Sequence, residues 1–386
     1  MSQIRAIVLA GGTGKRLQPM TLTRPKPLLL VANYPMINFS LWSLKRAGIE
    51  DVILVVKYLG DQIREYIGDG KEFGLNIEIP DIDPQDTADA VRKTAYLLEG
   101  GEDFIVTMAD LVTNIDLKTF ITFHKNKGGI GSIALKNVPD PLQFGVIMLD
   151  DEQKIILFLE KPIPQELYVT SLTFSRRQSV YLHLNLINSG IYVFTHKLLD
   201  ILDSNANLMD FGKHVFPYLL RENYDIFGFV LPDHTYWMDC GTPQKVLWAN
   251  WDVVRRYAWP YLPKGEERDG SWWGKNIELG KSSQINAPVV IGNDVKIGEG
   301  VVISKHTTIA DYCNIGNNSK INAAVLWNRV TIGTNTRCSK CVICENVTIG
   351  DNVEIEENVV VGAGSQVNNG TRIEPNILIA PNSIID

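Results

Sequence analysis

Val289-Val290-Ile291-Gly292-Asn293-Asp294-Val295-Lys296-Ile297-Gly298-Glu299-Gly300-Val301-Val302-Ile303 places an aliphatic residue at every sixth position. The series begins at Ile285 and runs through Ile309, Ile315 and Ile321. It slips by one residue to Leu326 and continues through Ile332, Cys338 and Cys344. A second slip leads to Ile349, Ile355, Val361, Val367, Ile373, Ile379 and Ile385. The next residue is often small, as at Gly292, Gly298, Ala310 and Gly316, and the fifth position is small or β-branched, as at Val289, Val295, Thr307 and Ser319. A fixed short period of this kind marks a solenoid. Each hexapeptide forms a short flat strand and a turn, its aliphatic side chain fills a narrow prism, and three sides close one coil.

Upstream the period changes. Ala6-Ile7-Val8-Leu9-Ala10, Asp51–Val56 and Phe104–Met108 read as strands, and Met36–Ala47 (ending at Gly48), Asp61–Ile67 and Thr87–Leu98 as helices. Strands alternating with helices at this spacing predict βαβ units and a mixed, mostly parallel sheet in an α/β fold. Such sheets bind ligands beyond the carboxyl ends of their strands. Trp259–Gly274 is rich in Pro, Gly, Trp and charge. The expected division is therefore a first domain over 1–258, a linker over 259–284 and a solenoid over 285–386. The last region resembles the left-handed parallel β-helix of hexapeptide-repeat proteins.

The 386 residues carry 37 basic and 44 acidic side chains, a net charge of −7. No dense basic patch breaks this balance, which argues against a nucleic-acid or anionic-membrane binder. No apolar run reaches the length of a membrane span. Ile4-Arg5 leads straight into a strand without a signal-peptide pattern, so a cytoplasmic location is expected. Five Cys in a long chain do not suggest a disulfide framework.

The sharpest local signal is Leu9-Ala10-Gly11-Gly12-Thr13-Gly14-Lys15-Arg16-Leu17-Gln18-Pro19-Met20-Thr21, at the end of the first strand. Three glycines let the backbone approach a ligand and turn N–H groups toward it. Lys15 and Arg16 add charge, and Arg grips phosphate oxygens in a fork. The pattern is neither a Walker loop nor the Gly-x-Gly-x-x-Gly dinucleotide loop. Alone, such a turn is often only a tight turn. Arg24-Pro25-Lys26-Pro27 follows, with a Lys fixed between two prolines.

These motifs resemble the signature of the sugar-1-phosphate nucleotidyltransferases. Met108-Ala109-Asp110, Phe144-Gly145-Val146, Glu160-Lys161-Pro162, Asn188-Ser189-Gly190-Ile191-Tyr192 and Trp237-Met238-Asp239-Cys240-Gly241-Thr242-Pro243 match further family motifs in order. The resemblance spans residues 4 to about 250 and, with the solenoid, is strongest toward the mannose-1-phosphate guanylyltransferase branch. It implies a Rossmann-like domain that transfers a nucleotidyl group from an NTP, with GTP favoured, to a sugar 1-phosphate, with mannose 1-phosphate favoured. Leu9, Gly11, Gly12, Thr13, Gly14, Lys15, Arg16, Asp86 and Thr87 would then bind nucleotide. Lys26 would neutralise phosphate in the transition state. Asp110 and Asp239, the latter in a Trp-Met-Asp turn, would hold Mg²⁺. Gly145, Glu160, Lys161 and Asn188 would line the sugar-phosphate site. A homo-oligomer through the solenoid is expected.

One segment departs from the family. Where Gly-Thr-Ala-Gly is usual, Asp86-Thr87-Ala88-Asp89 stands. Asp86 is placed to cap the following helix; alternatively either carboxylate would accept from guanine N–H groups. The segment 163–184, with Arg176-Arg177, looks long enough for a lid or an oligomer contact. Competing readings are a regulatory subunit that binds nucleotide sugars without turnover or a subunit of a translation-factor exchange complex, a glucose-1-phosphate thymidylyl-, uridylyl- or adenylyltransferase, an acyltransferase using His306, and a metal site at Cys338-x-x-Cys341-x-x-Cys344. Against the last, Cys338 and Cys344 fall at the inward aliphatic position, where Cys acts as a small hydrophobe.

Overall fold

The computed structural model describes residues 4–98, 101–166, 180–181 and 185–386. Two compact units emerge, each assembled from separate stretches of chain: Met1–Gly11, Ser40–Ala109 and Ile115–Trp237 in the first, Gly12–Phe39, Asp110–Asn114 and Met238–Asp386 in the second. Most of 163–184, including Arg176-Arg177, lies outside the described residues. Among the described residues no helix is long and apolar enough to cross a membrane.

The first unit is built on a mixed sheet. Seven of its ten strands run in the order Ile155–Glu160, Gly145–Asp150, Leu186–Phe194, Phe104–Met108, Arg5–Ala10, Asp51–Val56 and Asn76–Glu78. The last four are mutually parallel, with Val8 opposite both Leu54 and Thr107. Leu186–Phe194 runs antiparallel to Phe104–Met108. Ala6, Ile7 and Val8 are all fully buried, the continuous apolar run of a strand covered on both faces. The helix Ile37–Ala47 ends at Gly48, whose φ of +80° favours glycine. The helix starting at Thr87 stops at Lys93, short of the expected Leu98. The reason is Thr94: its buried hydroxyl donates back to the Ala90 and Val91 carbonyls, and the chain tightens into a 3-10 turn over Ala95–Leu97.

In the second unit, parallel two- and three-residue strands stack into three ladders, the faces of a triangular β-helix. Ile291, Ile309, Leu326, Ile343, Val361 and Ile379 stand above one another on one face. Both slips in the sequence are coils one residue short, with partners 17 rather than 18 residues apart. The second slip falls earlier than the aliphatic pattern suggested. Ile343, not Cys344, takes the inward position, and Cys341 joins Cys338 in the apolar core while Cys344 is buried outside that core cluster. The ladders also begin before residue 285: Ser271–Trp273 pairs with Val290–Ile291, and Glu278–Leu279 with Lys296–Ile297. The stretch read as a linker therefore contributes to the first coil.

Most corners turn through a left-handed residue. Asp294, His306, Tyr312, Asn318, Asn335, Asn346, Asn352, Asn358, Asn376 and Asn382 all have φ between +53° and +66°. For most L-residues this conformation costs about 1–2 kcal/mol, and Asn tolerates it best. The aliphatic period fixes the sides, and the asparagine period fixes the corners. Asn346 is exposed with a φ of +57°. Asn346→Val should lower stability by about 1–2 kcal/mol, while Asn346→Gly stays within about 0.5 kcal/mol of the parent; denaturant midpoints check both.

Candidate active site

Leu9 ends the first strand, its carbonyl accepting from the Ala109 amide at 3.0 Å. The chain then enters Gly11-Gly12-Thr13-Gly14. Gly14 has a φ of +62°, and a Cβ there would stand 2.8 Å from the Thr21 methyl. Its carbonyl accepts from the Leu17 amide at 2.8 Å and the Thr21 hydroxyl at 2.9 Å. The turn is thereby pinned to the 3-10 segment Lys15–Leu17, which buries Leu17 and leaves Thr13, Lys15 and Arg16 exposed.

Lys26 sits in a second 3-10 turn, Lys26–Leu28, with only 9% of its surface exposed. Its Nζ donates to Asp110 Oδ2 and lies 3.4 Å from Asp239 Oδ1. Asp239 is on a short strand, Trp237–Asp239, paired with Leu111–Thr113 immediately after Asp110. The Trp-Met-Asp segment is thus a strand rather than a turn, and this ladder brings the two carboxylates to one ammonium. Burial pushes the Lys26 pKa down, but Asp110 and Asp239 together outweigh it, so the ammonium is held above its ordinary value. A Cβ at Gly241 would be 2.9 Å from Arg16 Nη2 and 3.0 Å from Asp239 Oδ2, so both side chains reach over that glycine. Neighbouring Cys240 is fully buried and its thiol is pushed up, chiefly by burial, which makes it a poor nucleophile.

Among the described residues no three His, Cys, Asp or Glu side chains are grouped to hold a metal ion. The pair Asp110–Asp239 nonetheless fits Mg²⁺, which takes one or two carboxylates and completes its shell with water and phosphate oxygens.

The expected sugar-phosphate residues belong to the first unit. Gly145 and Glu160 face each other across antiparallel strands. A Cβ at Gly145 would lie 2.9 Å from Glu160 Oε2, and one at Gly212 only 2.6 Å from it. Two bare backbones thus flank this carboxylate. Lys161 turns at a φ of +48°, anchors its amide on the Phe144 carbonyl at 3.0 Å, and leaves Nζ exposed 3.4 Å from Glu160 Oε1. Glu160, Lys161, Gly212 and Lys213 help line a cleft of about 500 Å³. Asn188 is tied to its own strand, donating to Tyr192 Oη at 2.9 Å and accepting from the Gly190 amide at 3.0 Å.

Asp86 caps the helix by accepting from the Thr87 amide at 2.9 Å. Partial burial, then Asp210, raises its carboxyl above the usual range. The Thr87 hydroxyl donates to Asp210 at 3.2 Å and accepts from the Phe211 amide at 3.1 Å. Asp89 is buried, accepts from the Gln85 amide at 2.8 Å, and pairs with Arg92 and Lys93. Burial opposes its ionisation, but these donors prevail and hold its carboxyl below the ordinary value. These bonds tie Asp89 to its own helix and to the segment before it. His306 accepts from Arg255 Nε at 3.1 Å.

Sequence reasoning missed Asp210, Gly212 and Asn250. Asp210 caps the following turn by accepting from the Lys213 amide at 2.8 Å, a local signal that an Asp-x-x-Lys spacing carries. Asn250 gave none: it is a fully buried amide on the helix Pro243–Val254. It donates to the Leu30 carbonyl at 3.1 Å and the Val246 carbonyl at 2.9 Å. It accepts from the Ala32 amide at 2.8 Å and the Thr308 hydroxyl at 3.1 Å. One side chain therefore joins the Lys26 segment, the helix and the solenoid.

The nucleotidyl transferase family model matches residues 5–256, and the chain belongs to that family. A model described as the EIF2B subunit epsilon LbH domain matches residues 268–379, in accord with a left-handed β-helix. Over 311 residues the chain is 29% identical to the mannose-1-phosphate guanylyltransferase of Mycobacterium tuberculosis, covering 75% of this chain and 80% of the relative. It is 29% identical over 303 residues to mannose-1-phosphate guanylyltransferase 1 of Arabidopsis thaliana, covering 76% of each. It is also 29% identical over 304 residues to a UTP–glucose-1-phosphate uridylyltransferase of Synechocystis, covering 75% of this chain and 74% of the relative.

Asn250→Ala should cost about 2–4 kcal/mol, because it strands buried donors and acceptors on three elements; the denaturant midpoint reads this directly. Lys26, with its raised pKa, stabilises the fold at neutral pH and loses that contribution as pH rises through its folded-state value. The parent should therefore lose more stability than Lys26→Met between neutral and strongly alkaline pH, as paired denaturation series would show.

Proposed function

We propose that the chain joins a nucleotidyl group from an NTP to a sugar 1-phosphate and releases pyrophosphate, with GTP and mannose 1-phosphate as the favoured pair. The observation that carries this reading is the Lys26 ammonium set between Asp110 and Asp239, with Arg16 beside Asp239 over Gly241. The base and sugar rest on the names of the relatives, and the uridylyltransferase among them makes UTP with glucose 1-phosphate the second pair to test.

In this reaction a sugar-phosphate oxygen attacks the α-phosphorus, the bond to the β-phosphate oxygen breaks, and pyrophosphate departs with the electron pair. The nucleophile is already an anion, so no strong base is needed. The barrier is one of bringing polyanions together in line, which positioning and charge neutralisation lower. Gly11–Arg16 presents backbone N–H groups and two cations to the triphosphate. Lys26 stays protonated and supplies positive charge at the reacting phosphate. Glu160 accepts from sugar hydroxyls, and Lys161 pairs with the sugar phosphate. Asp110 and Asp239 would hold Mg²⁺, which when bound neutralises charge on the phosphates.

A non-catalytic nucleotide-sugar sensor would not need Arg16, Lys26, Asp110 and Asp239 together. A homo-oligomer through the solenoid belongs to the same reading, and sedimentation velocity tests it. Pyrophosphate release should be measured for four NTPs against mannose 1-phosphate and glucose 1-phosphate. GTP with mannose 1-phosphate should be fastest, and Asp110→Asn, Asp239→Asn and Lys26→Met should each reduce turnover by at least about 100-fold. Parent-like rates in both Asp variants would remove the metal assignment. No turnover with any pair would leave the sensor as the better description.

A further inference from the structure

We propose that the β-helix positions the reactive lysine, with Arg24 as the positioning residue and Trp327 and Glu345 as its clamp. The Arg24 guanidinium lies 5.1 Å from the centre of the Trp327 ring, and its Nε is 3.6 Å from Glu345 Oε1. Its Nη1 donates to the Leu28 carbonyl at 3.4 Å, on the far side of the Lys26 turn. One guanidinium thus braces that turn and fastens it to two neighbouring coils. An Arg on an indole face next to a carboxylate, away from bulk water, is held by both ring and charge. The Arg24 and Glu345 side chains are only 20% and 15% exposed, and Trp327 is fully buried.

Two features direct this restraint to Lys26. The intervening Pro25 has a fixed φ of −65°, and Pro27 follows, so little backbone freedom separates Arg24 from the lysine. In addition, the solenoid breaks its own repeat here. The residue after the inward aliphatic position on this face is Gly292, Ala310, Cys344, Gly362 or Ala380 in the other coils, all small, but Trp327 where Arg24 docks. Closing a coil requires no indole at that point, whereas docking a guanidinium benefits from one.

This inference rests on the proposed role of Lys26, and its test separates the two. The full-length parent, Glu345→Gln, Trp327→Leu, Trp327→Phe and Arg24→Met are compared in kcat, in KM for each substrate, and in hydrogen exchange at the Leu28 and Leu29 amides. Those amides close the turn on the Pro25 and Lys26 carbonyls at 2.9 and 3.1 Å. Glu345→Gln and Trp327→Leu should lower kcat by at least about tenfold, with KM changed less than about threefold, and should speed exchange at both amides about tenfold. Trp327→Phe, which keeps a ring face, should recover most of kcat. Glu345→Gln, the mildest change, decides the matter if Arg24→Met does not fold. Parent-like kcat in folded clamp variants overturns the proposal, even where exchange accelerates, since that pattern describes a mere anchor. If the parent turns over no substrate pair, the reaction assignment fails, and unchanged exchange at Leu28 and Leu29 then overturns the clamp as well.

Discussion

The buried amide of Asn250 fills both donor and both acceptor positions at once. A fully satisfied buried amide specifies one arrangement of its partners, because any other leaves polar groups unpaired in a medium that penalises them. Its partners are the Leu30–Ala32 backbone, one turn of its own helix and Thr308 of the β-helix. Asn33 adds a buried bond to the Ile309 carbonyl at 2.7 Å, and the half-buried Trp251 indole donates to the Ala323 carbonyl at 2.9 Å. Through these contacts the segment carrying Arg16 and Lys26 is part of the same compact body as the solenoid.

Charge is organised around that body with similar economy. Lys26 is nearly buried, which alone would favour its neutral form, and two carboxylates reverse that preference. An ammonium held by carboxylates is preorganised: a triphosphate meets a cation already fixed in place rather than a freely rotating surface lysine. The crowding at Gly14, Gly145, Gly212 and Gly241 reflects one requirement, that backbone or bare Cα atoms stand where a side chain would fill the space beside Thr21, Glu160, Arg16 or Asp239.

Much of this was legible from residue order, for identifiable reasons. The period of six and the apolar strand runs are burial patterns written every few residues, so they gave the β-helix and the parallel sheet. The motif around Gly11–Arg16 and Pro25-Lys26-Pro27 pointed to phosphate chemistry, and the structure brings Arg16, Lys26, Asp110 and Asp239 together. The second slip was misplaced because Cys344 and Ile343 are both apolar and adjacent; only strand pairing distinguishes them. The helix at Thr87 was overextended because a threonine hydroxyl bonding to its own backbone leaves no mark in hydrophobic spacing. The roles of Asn250 and Arg24 leave no local mark because the partners that define them, Leu30, Ala32 and Thr308 for the one and Trp327 and Glu345 for the other, are remote in the chain.

The discontinuity of the second unit also has a consequence during synthesis. Residues 12–39 leave the ribosome well before the Thr308, Ile309, Trp327 and Glu345 groups that hold them. Until then the nascent lysine segment has no scaffold to lock onto, and its polar backbone must remain in water or under chaperone protection. A polypeptide halted before those coils would carry every motif of the phosphate loop and still lack the framework that turns them into a site.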